Sequence, residues 1–198
     1  KLKESSAAHQ HVEKAVDASQ RMAAYIKDMR STLSREETER MCSMKEELES
    51  VLHFLSYSTK EKGVGIEVLH LHDTRWHGSP TRIRQLFSNL ISNAVDSFEG
   101  IEDDRARIVK IVLKNQDEYI VFTIEDNGAG IPESHHTKIF EPFFTTKSQD
   151  KGTGIGLTTV KSIVEKYLGG TLVLESEVGK GTVFVVSFPQ RTDPVSYP

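Results

Sequence analysis

Two glycine-rich stretches are the residues of this chain best suited to bind a ligand. Asp126-Asn127-Gly128-Ala129-Gly130 follows a β-branched segment, and Gly152-Thr153-Gly154-Ile155-Gly156 opens an amphipathic one. Glycine allows a positive φ and lets a ligand approach the main chain closely, and free amides at a helix N-terminus bind phosphate oxygens. The Asp126 carboxylate could accept a hydrogen bond from an exocyclic amine such as that of adenine. Taken alone, each stretch is more often an ordinary turn or helix start.

A pair of asparagines precedes these stretches. Asn89 and Asn93 are four residues apart in a predicted helix, Thr81–Phe98, so they share one face. Two neutral amide oxygens suit a Mg²⁺ ion that is also bound by phosphates, because such an ion needs only one or two protein oxygens. The alternative is a pair of exposed polar residues without a ligand.

Short β-branched segments alternate with helical ones after residue 63. A second helix is predicted over Ile155–Leu168, stopped by Gly169-Gly170. The segments that predict strands are Ile66–Leu71, Ile108–Lys114, Tyr119–Glu125, Thr171–Glu175 and Thr182–Phe188. This order predicts an α+β sandwich in which one mixed, mostly antiparallel sheet is layered with helices.

The first 60 residues contain neither proline nor glycine and predict helices. A long N-terminal helix has an apolar seam at Met22, Ile26, Met29 and Leu33, which favours pairing with another helix over packing on the same domain. A following helix is predicted to begin near residue 35, after the capping-box pattern Ser34 to Glu37. Its predicted seam is Met41, Met44, Leu48, Val51 and Leu55.

Composition narrows the class of protein. The chain has 198 residues and a net charge of −4, which is not the charge footprint of a nucleic-acid binder. Its single cysteine, Cys42, excludes an internal disulfide, fits a reducing compartment and is expected to be buried. No apolar run has the length of a membrane span. We therefore expect a cytoplasmic segment that makes no membrane contact, whether or not a parent protein is anchored.

Four motifs in a fixed order resemble the catalytic, ATP-binding domain of sensor histidine kinases. Asn89–Ala94 is similar to the family's N box, Asp126–Ile131 to its G1 box, Phe140–Lys147 to its F box and Gly152–Leu157 to its G2 box. The resemblance extends over roughly residues 45–190 and implies the Bergerat fold shared with DNA gyrase, mismatch-repair ATPases and heat-shock chaperones. Asn-Ala-Val-Asp together with Phe-Phe-Thr-Thr-Lys is most similar to the nitrogen- and oxygen-sensing branch.

The resemblance implies roles for individual residues, with ATP and Mg²⁺ as ligands. Asp126 would read the adenine amine beside Gly130 and Thr182, and Asn89 and Asn93 would hold Mg²⁺ and the phosphates. Residues 140–152 would form a lid anchored by Phe143 and Phe144, and Lys147 would either reach a phosphate or remain solvated. The implied nucleotide-binding set is Asn89, Asn93, Asp126, Gly128, Gly130, Ile131, Phe140, Thr146, Lys147, Gly152, Thr153, Gly154, Gly156, Leu157 and Thr182.

Transfer to histidine is favoured over hydrolysis. In gyrase-like ATPases the position of Asn89 is normally a glutamate that activates water, and asparagine cannot act as a general base. The family's H box is absent: His9 and His11 lack the following acid and proline, and His135 and His136 are expected to be solvated loop residues. We therefore expect no catalytic residue in this segment, with the phosphoacceptor histidine and its base upstream of Lys1.

These expectations define a domain plan and a set of partners. Residues 1–34 would be the end of a dimerisation domain, 35–190 the catalytic domain and 191–198 a tail. The partners would be ATP or ADP, the upstream phosphoacceptor helix, a second kinase protomer in a homodimer, and the receiver domain of a response regulator. The alternatives are an ATP-binding pseudokinase and an anti-sigma-type serine kinase of the same fold.

Overall fold

The computed structural model describes residues 39–147 and 152–191, which form two sheets and a layer of helices. The helices are α1 (Met44–Glu61), α2 (Pro80–Asp96) and α3 (Gly156–Ser162), and α3 continues as a π-helix over Ile163–Leu168. The strands are β1 (Arg40–Ser43), β2 (Val64–Leu71), β3 (Arg75–Gly78), β4 (Arg107–Gln116), β5 (Tyr119–Asp126), β6 (Thr171–Glu177) and β7 (Gly181–Pro189).

The five predicted strands form one sheet of the predicted kind. Its order is β2-β4-β5-β7-β6, with β2 parallel to β4 and every other neighbouring pair antiparallel. Alternate residues of β4, including Val109 and Ile111, are buried beneath the helices. The rings of Phe87 on α2 and Phe122 on β5 lie 4.7 Å apart, which fastens the helix that carries the two asparagines to the middle of the sheet.

The start of α1 differs from the prediction. The helix begins at Met44, where the Ser43 side chain accepts a hydrogen bond from the Glu46 N–H. Residues Arg40–Ser43 instead form β1, which pairs with β3 in a second, two-stranded sheet that the sequence did not predict. The predicted start near residue 35 is therefore wrong, and so is the place of Met41 in the helical seam. The pattern of serine followed three residues later by glutamate occurs at Ser34 and again at Ser43. The helix starts after the second serine because the residues before it pair with β3, which is distant in sequence.

The two helices predicted after residue 63 are confirmed with shifted ends. Ser79 caps α2 by accepting a hydrogen bond from Arg82 N–H, and Pro80 occupies the first turn. Gly169 ends the π-helix in the left-handed conformation, with φ of 65°. The predicted seam at Met22–Leu33 lies outside the described residues. Within residues 39–147 and 152–191, no helix combines the length and hydrophobicity that crossing a bilayer requires.

Candidate functional site

A cavity of about 600 Å³ lies between α2, the end of β5 and the start of α3, a volume ordinary for a small-molecule site. All but two of the residues implied by the motif resemblance line it. These are Asn89, Asn93, Asp126, Gly130, Ile131, Thr146, Lys147, Gly152, Thr153, Gly154, Gly156, Leu157 and Thr182. Gly128 and Phe140 do not line it. The topology thus collects into one cavity residues that are far apart along the chain.

Asp126 is the buried acid of this cavity, at the C-terminal end of β5. Its side chain is 6% exposed, and its Oδ1 accepts a hydrogen bond of 2.9 Å from the Gly128 N–H. Burial raises the pKa of this carboxyl above its ordinary value, and hydrogen bonds from Gly128, Ser97 and Thr182 offset part of that rise. Asp126 is therefore a fixed acceptor in a poorly solvated setting, where an unsatisfied donor or acceptor is costly.

Ser97 is a residue of this site that the sequence argument missed. Its Oγ lies 2.9 Å from Asp126 Oδ1 and 2.7 Å from the Ala94 carbonyl oxygen. Its own carbonyl accepts from the Ala129 N–H at 3.0 Å, which ties the end of α2 to the glycine turn. A Cβ on Gly128 would lie 2.0 Å from Ser97 Oγ, so that glycine is required for close packing. Helical spacing could have found Ser97, since it lies one turn after Asn93.

The two asparagines face the cavity from α2, because the opposite face of that helix is buried in the core. Asn89 Nδ2 donates to the Gly156 carbonyl oxygen at 3.3 Å, which links α2 to the start of α3. Asn93 Nδ2 is buried without a hydrogen-bond partner among the described residues. A buried amide without a partner is costly unless a ligand supplies one.

The F-box and G2-box segments are joined by their backbones. The Phe143 N–H donates to the Gly154 carbonyl at 2.9 Å, and both residues have positive φ, 67° and 65°. A Cβ on Gly154 would lie 2.4 Å from the Phe143 carbonyl carbon, and one on Gly152 would lie 2.4 Å from Thr145 Oγ1. Gly154 therefore allows two backbone segments to approach each other, and Gly152 leaves room for the Thr145 hydroxyl.

Three side chains beside the glycines are better held than the sequence suggested. Lys147 lines the cavity, and its Nζ lies 2.6 Å from Asp96 Oδ2, so in this structure the ammonium group is paired with a carboxylate. The two histidines, expected to be solvated, are half-buried in their loop, and each makes a contact. His136 Nε2 lies 2.9 Å from the Ile131 carbonyl oxygen, and His135 lines the cavity with its ring edge-to-face on Phe144, 5.2 Å between centroids.

Comparison with known protein families gives a direct match to this region. The family described as histidine kinase-, DNA gyrase B-, and HSP90-like ATPase matches residues 78–192, more than half of the chain. The chain belongs to this family. The relationship predicted from the order of the motifs is thereby confirmed, and membership of this ATPase family implies that the chain binds ATP.

Relatives of this ATPase domain are sensor kinases. Sporulation kinase A of Bacillus subtilis (strain 168) is 33% identical over 150 residues, which cover 75% of this chain and 23% of that protein. The catalytic domain of the histidine kinase ThkA superposes with a TM-score of 0.63 at 29% identity, covering 77% of this chain and 96% of that one. Full-length ShkA in complex with AMPPNP superposes with a TM-score of 0.64 at 26% identity. The superposition covers 80% of this chain and 32% of that one. The chain spans less than a quarter of the length of such curated relatives.

Proposed function

We propose that this chain is the ATP-binding catalytic domain of a sensor histidine kinase, and that it transfers the γ-phosphoryl group of ATP to a histidine outside this chain segment. The observation that carries the proposal is the cavity wall itself. It combines a buried carboxylate, Asp126, with two asparagines on one helix face, Asn89 and Asn93, and the glycine-rich start of α3. In support, the structure of the similar full-length protein ShkA is a complex with AMPPNP.

Each part of this wall suits one part of Mg-ATP. Contacts from Gly128 N–H and Ser97 Oγ to Oδ1 hold the Asp126 side chain in place. In our proposal the carboxylate accepts a hydrogen bond from the adenine amine. The asparagine side-chain oxygens are the ligand type that Mg²⁺ accepts beside phosphates, and the unpartnered Asn93 amide fits a residue that rotates to meet a ligand. When bound, Mg²⁺ would neutralise charge on the transferred phosphoryl group.

The asparagine at position 89 favours phosphoryl transfer over hydrolysis. Its amide nitrogen is engaged by the Gly156 carbonyl, and an amide cannot take a proton from water. Transfer to a nucleophile then depends on positioning and on charge neutralisation. An ATP-binding pseudokinase and an anti-sigma-type serine kinase remain the alternative functions. The intact cavity wall counts against the first, and the Phe-Phe-Thr-Thr-Lys sequence counts against the second.

A binding and phosphorylation experiment tests this proposal. We expect the chain to bind ADP and ATP by calorimetry, more tightly with Mg²⁺ than with EDTA, and to bind GTP far more weakly. We expect no acid-labile phosphate on the chain itself, and transfer when a dimerisation domain carrying a histidine H box is supplied. Equal affinity for GTP would contradict the adenine role of Asp126. Acid-labile phosphate on the isolated chain would contradict the absence of an acceptor histidine.

The raised pKa of Asp126 predicts a pH dependence of adenine binding. Because its folded pKa lies above the unfolded value, protonation of this group stabilises the fold at low pH, and that contribution is lost as pH rises through the folded pKa. Protonation also converts an acceptor into a donor. We expect adenosine affinity to fall on acidification at a pH above the ordinary aspartate range, while circular dichroism stays native. Adenosine is the ligand of choice since it has no titrating phosphate. Unfolding that coincides with the loss of affinity would argue against this explanation.

The wider assembly also belongs to the proposal. We expect the full-length protein to be a homodimer that presents its phosphoacceptor helix to this domain and passes the phosphoryl group to a response-regulator receiver domain. The division into residues 1–34, 35–190 and 191–198, a cytoplasmic location and membership of the nitrogen- and oxygen-sensing branch stay predictions. Co-purification of a receiver domain with the full-length dimer, and not with a phosphoacceptor-helix deletion, is the expected result.

A further inference from the structure

Asp96 is an acidic residue on the wall of the nucleotide cavity. It lies about two turns after Asn89 and one turn after Asn93 on α2, so the three side chains share the face that lines the cavity. A carboxylate there repels the phosphates of a nucleotide unless a cation compensates it, because the Coulomb energy of two like charges is unfavourable. The protein needs a way to keep Asp96 compensated while ATP is bound.

Two lysines hold the two oxygens of Asp96. Lys62 Nζ lies 2.5 Å from Oδ1, and Lys147 Nζ lies 2.6 Å from Oδ2. Burial disfavours the charged form of Asp96, but the hydrogen bonds from Lys147 and Lys62 outweigh it and hold the pKa of this carboxyl below its ordinary value. Asp96 is therefore a carboxylate with a cation on each side.

The two lysines differ in what else they can reach. Lys62 lines a separate cavity of about 490 Å³ behind Asp96 and does not line the nucleotide cavity. Its main chain caps α1, and its carbonyl oxygen accepts from Arg107 at 3.0 Å, which fixes it on that side. Lys147 lines both cavities. Of the two, only Lys147 is placed to exchange Asp96 for a ligand.

We propose that Asp96 sets the phosphate-dependent part of nucleotide affinity by competing with the nucleotide for Lys147. Without nucleotide, Asp96 holds Lys147. With nucleotide, Lys147 moves to a phosphate, and Lys62 stays on Oδ1 so that the carboxylate is never left without a partner. This inference rests on the proposed function, since it requires a nucleotide in the cavity. It assigns Asp96 and Lys62 as positioning residues that act through Lys147.

The proposal predicts opposite effects on nucleotide affinity for substitutions of Asp96 and of Lys62. Removing the competitor by Asp96→Asn frees Lys147, so ADP and ATP should bind roughly fivefold more tightly. Lys62→Met leaves Asp96 dependent on Lys147, so ADP and ATP should bind roughly fivefold more weakly. Adenosine should bind all three proteins equally, because it has no phosphate. Lys110→Met is the matched control: it removes a lysine that pairs with Glu125, away from the cavity, and should change none of these affinities.

A double-mutant cycle with Lys147→Met separates this exchange from a general charge effect. We expect Lys147→Met to weaken ADP and ATP binding and to abolish the effects of Asp96→Asn and Lys62→Met. If Asp96→Asn still tightens ADP binding without Lys147, general repulsion is the cause and the proposal is wrong. An equal change for adenosine would also overturn it. Failure of the unsubstituted chain to bind any of these ligands would instead count against the proposed function.

Discussion

We expect Asp126→Asn to abolish recognition of adenine while leaving the fold intact. The substitution keeps an oxygen that can accept from Gly128 and Ser97, but it can turn an amide N–H₂ toward the exocyclic amine of the base. Two donors then face each other in a buried site, and one buried unsatisfied group costs about 3 kcal/mol, or roughly a hundredfold in affinity. Calorimetry with ADP and Mg²⁺ measures the loss.

The free energy of unfolding of Asp126→Asn shows whether a loss of ADP affinity comes from the site or from the fold. Burial opposes the charge on Asp126, so replacing the carboxylate with a neutral amide should not lower the free energy of unfolding at neutral pH. Glu125→Gln removes the neighbouring acid, which is exposed and pairs with Lys110, and should leave ADP affinity within about twofold. An Asp126→Asn protein that binds ADP as well as the original would mean that the base is read elsewhere.

The second large effect is expected for Gly154→Ala. The new Cβ would lie 2.4 Å from the Phe143 carbonyl carbon, in a residue with φ of 65°. The positive φ costs about 1–2 kcal/mol for a residue other than glycine, and overpacking adds about 1–3 kcal/mol. Relief of this strain requires Phe143 and residue 154 to move apart, and residue 154 lines the cavity. We expect a large loss of ADP affinity, measured by calorimetry, and a lowered Tm.

Gly63→Ala is a matched control for the backbone component. Gly63 has φ of 64°, nearly that of Gly154, but a Cβ there meets nothing within 4 Å. It should therefore show the conformational cost alone, with unchanged ADP affinity. The difference in unfolding free energy between the two variants measures the collision with Phe143. Equal destabilisation, with ADP binding retained in both, would mean that the close approach at Gly154 does not organise the site.

The main sheet and most of the cavity wall could be predicted because their signals are local. β-branched alternation in Tyr119–Glu125 predicts a strand from a few consecutive residues, and the structure has that strand over Tyr119–Asp126. The spacing of Asn89 and Asn93 places both on one helix face. The order of the four motifs along the chain then indicated that these segments belong to one ATP-binding site. No single motif could have supported that resemblance.

The parts that the sequence missed depend on residues brought together from far apart. β1 exists because Arg40–Ser43 pairs with Arg75–Gly78, so its helix-favouring composition was overridden by tertiary pairing. Lys147 was left undecided because its partner, Asp96, lies on another element. The contact of His135 with the ring of Phe144 was missed for the same reason, because the two residues belong to different segments of the loop. Local sequence does not encode such neighbours.

Strand β3 is where the two ends of the described domain meet. Gly78 is paired with Arg40 of β1, and the His77 N–H donates to the Arg191 carbonyl at 2.7 Å. The first and last described segments therefore lie beside the same four-residue strand. A domain with this property can be spliced between different neighbours without rerouting its core, because both junctions lie on one side.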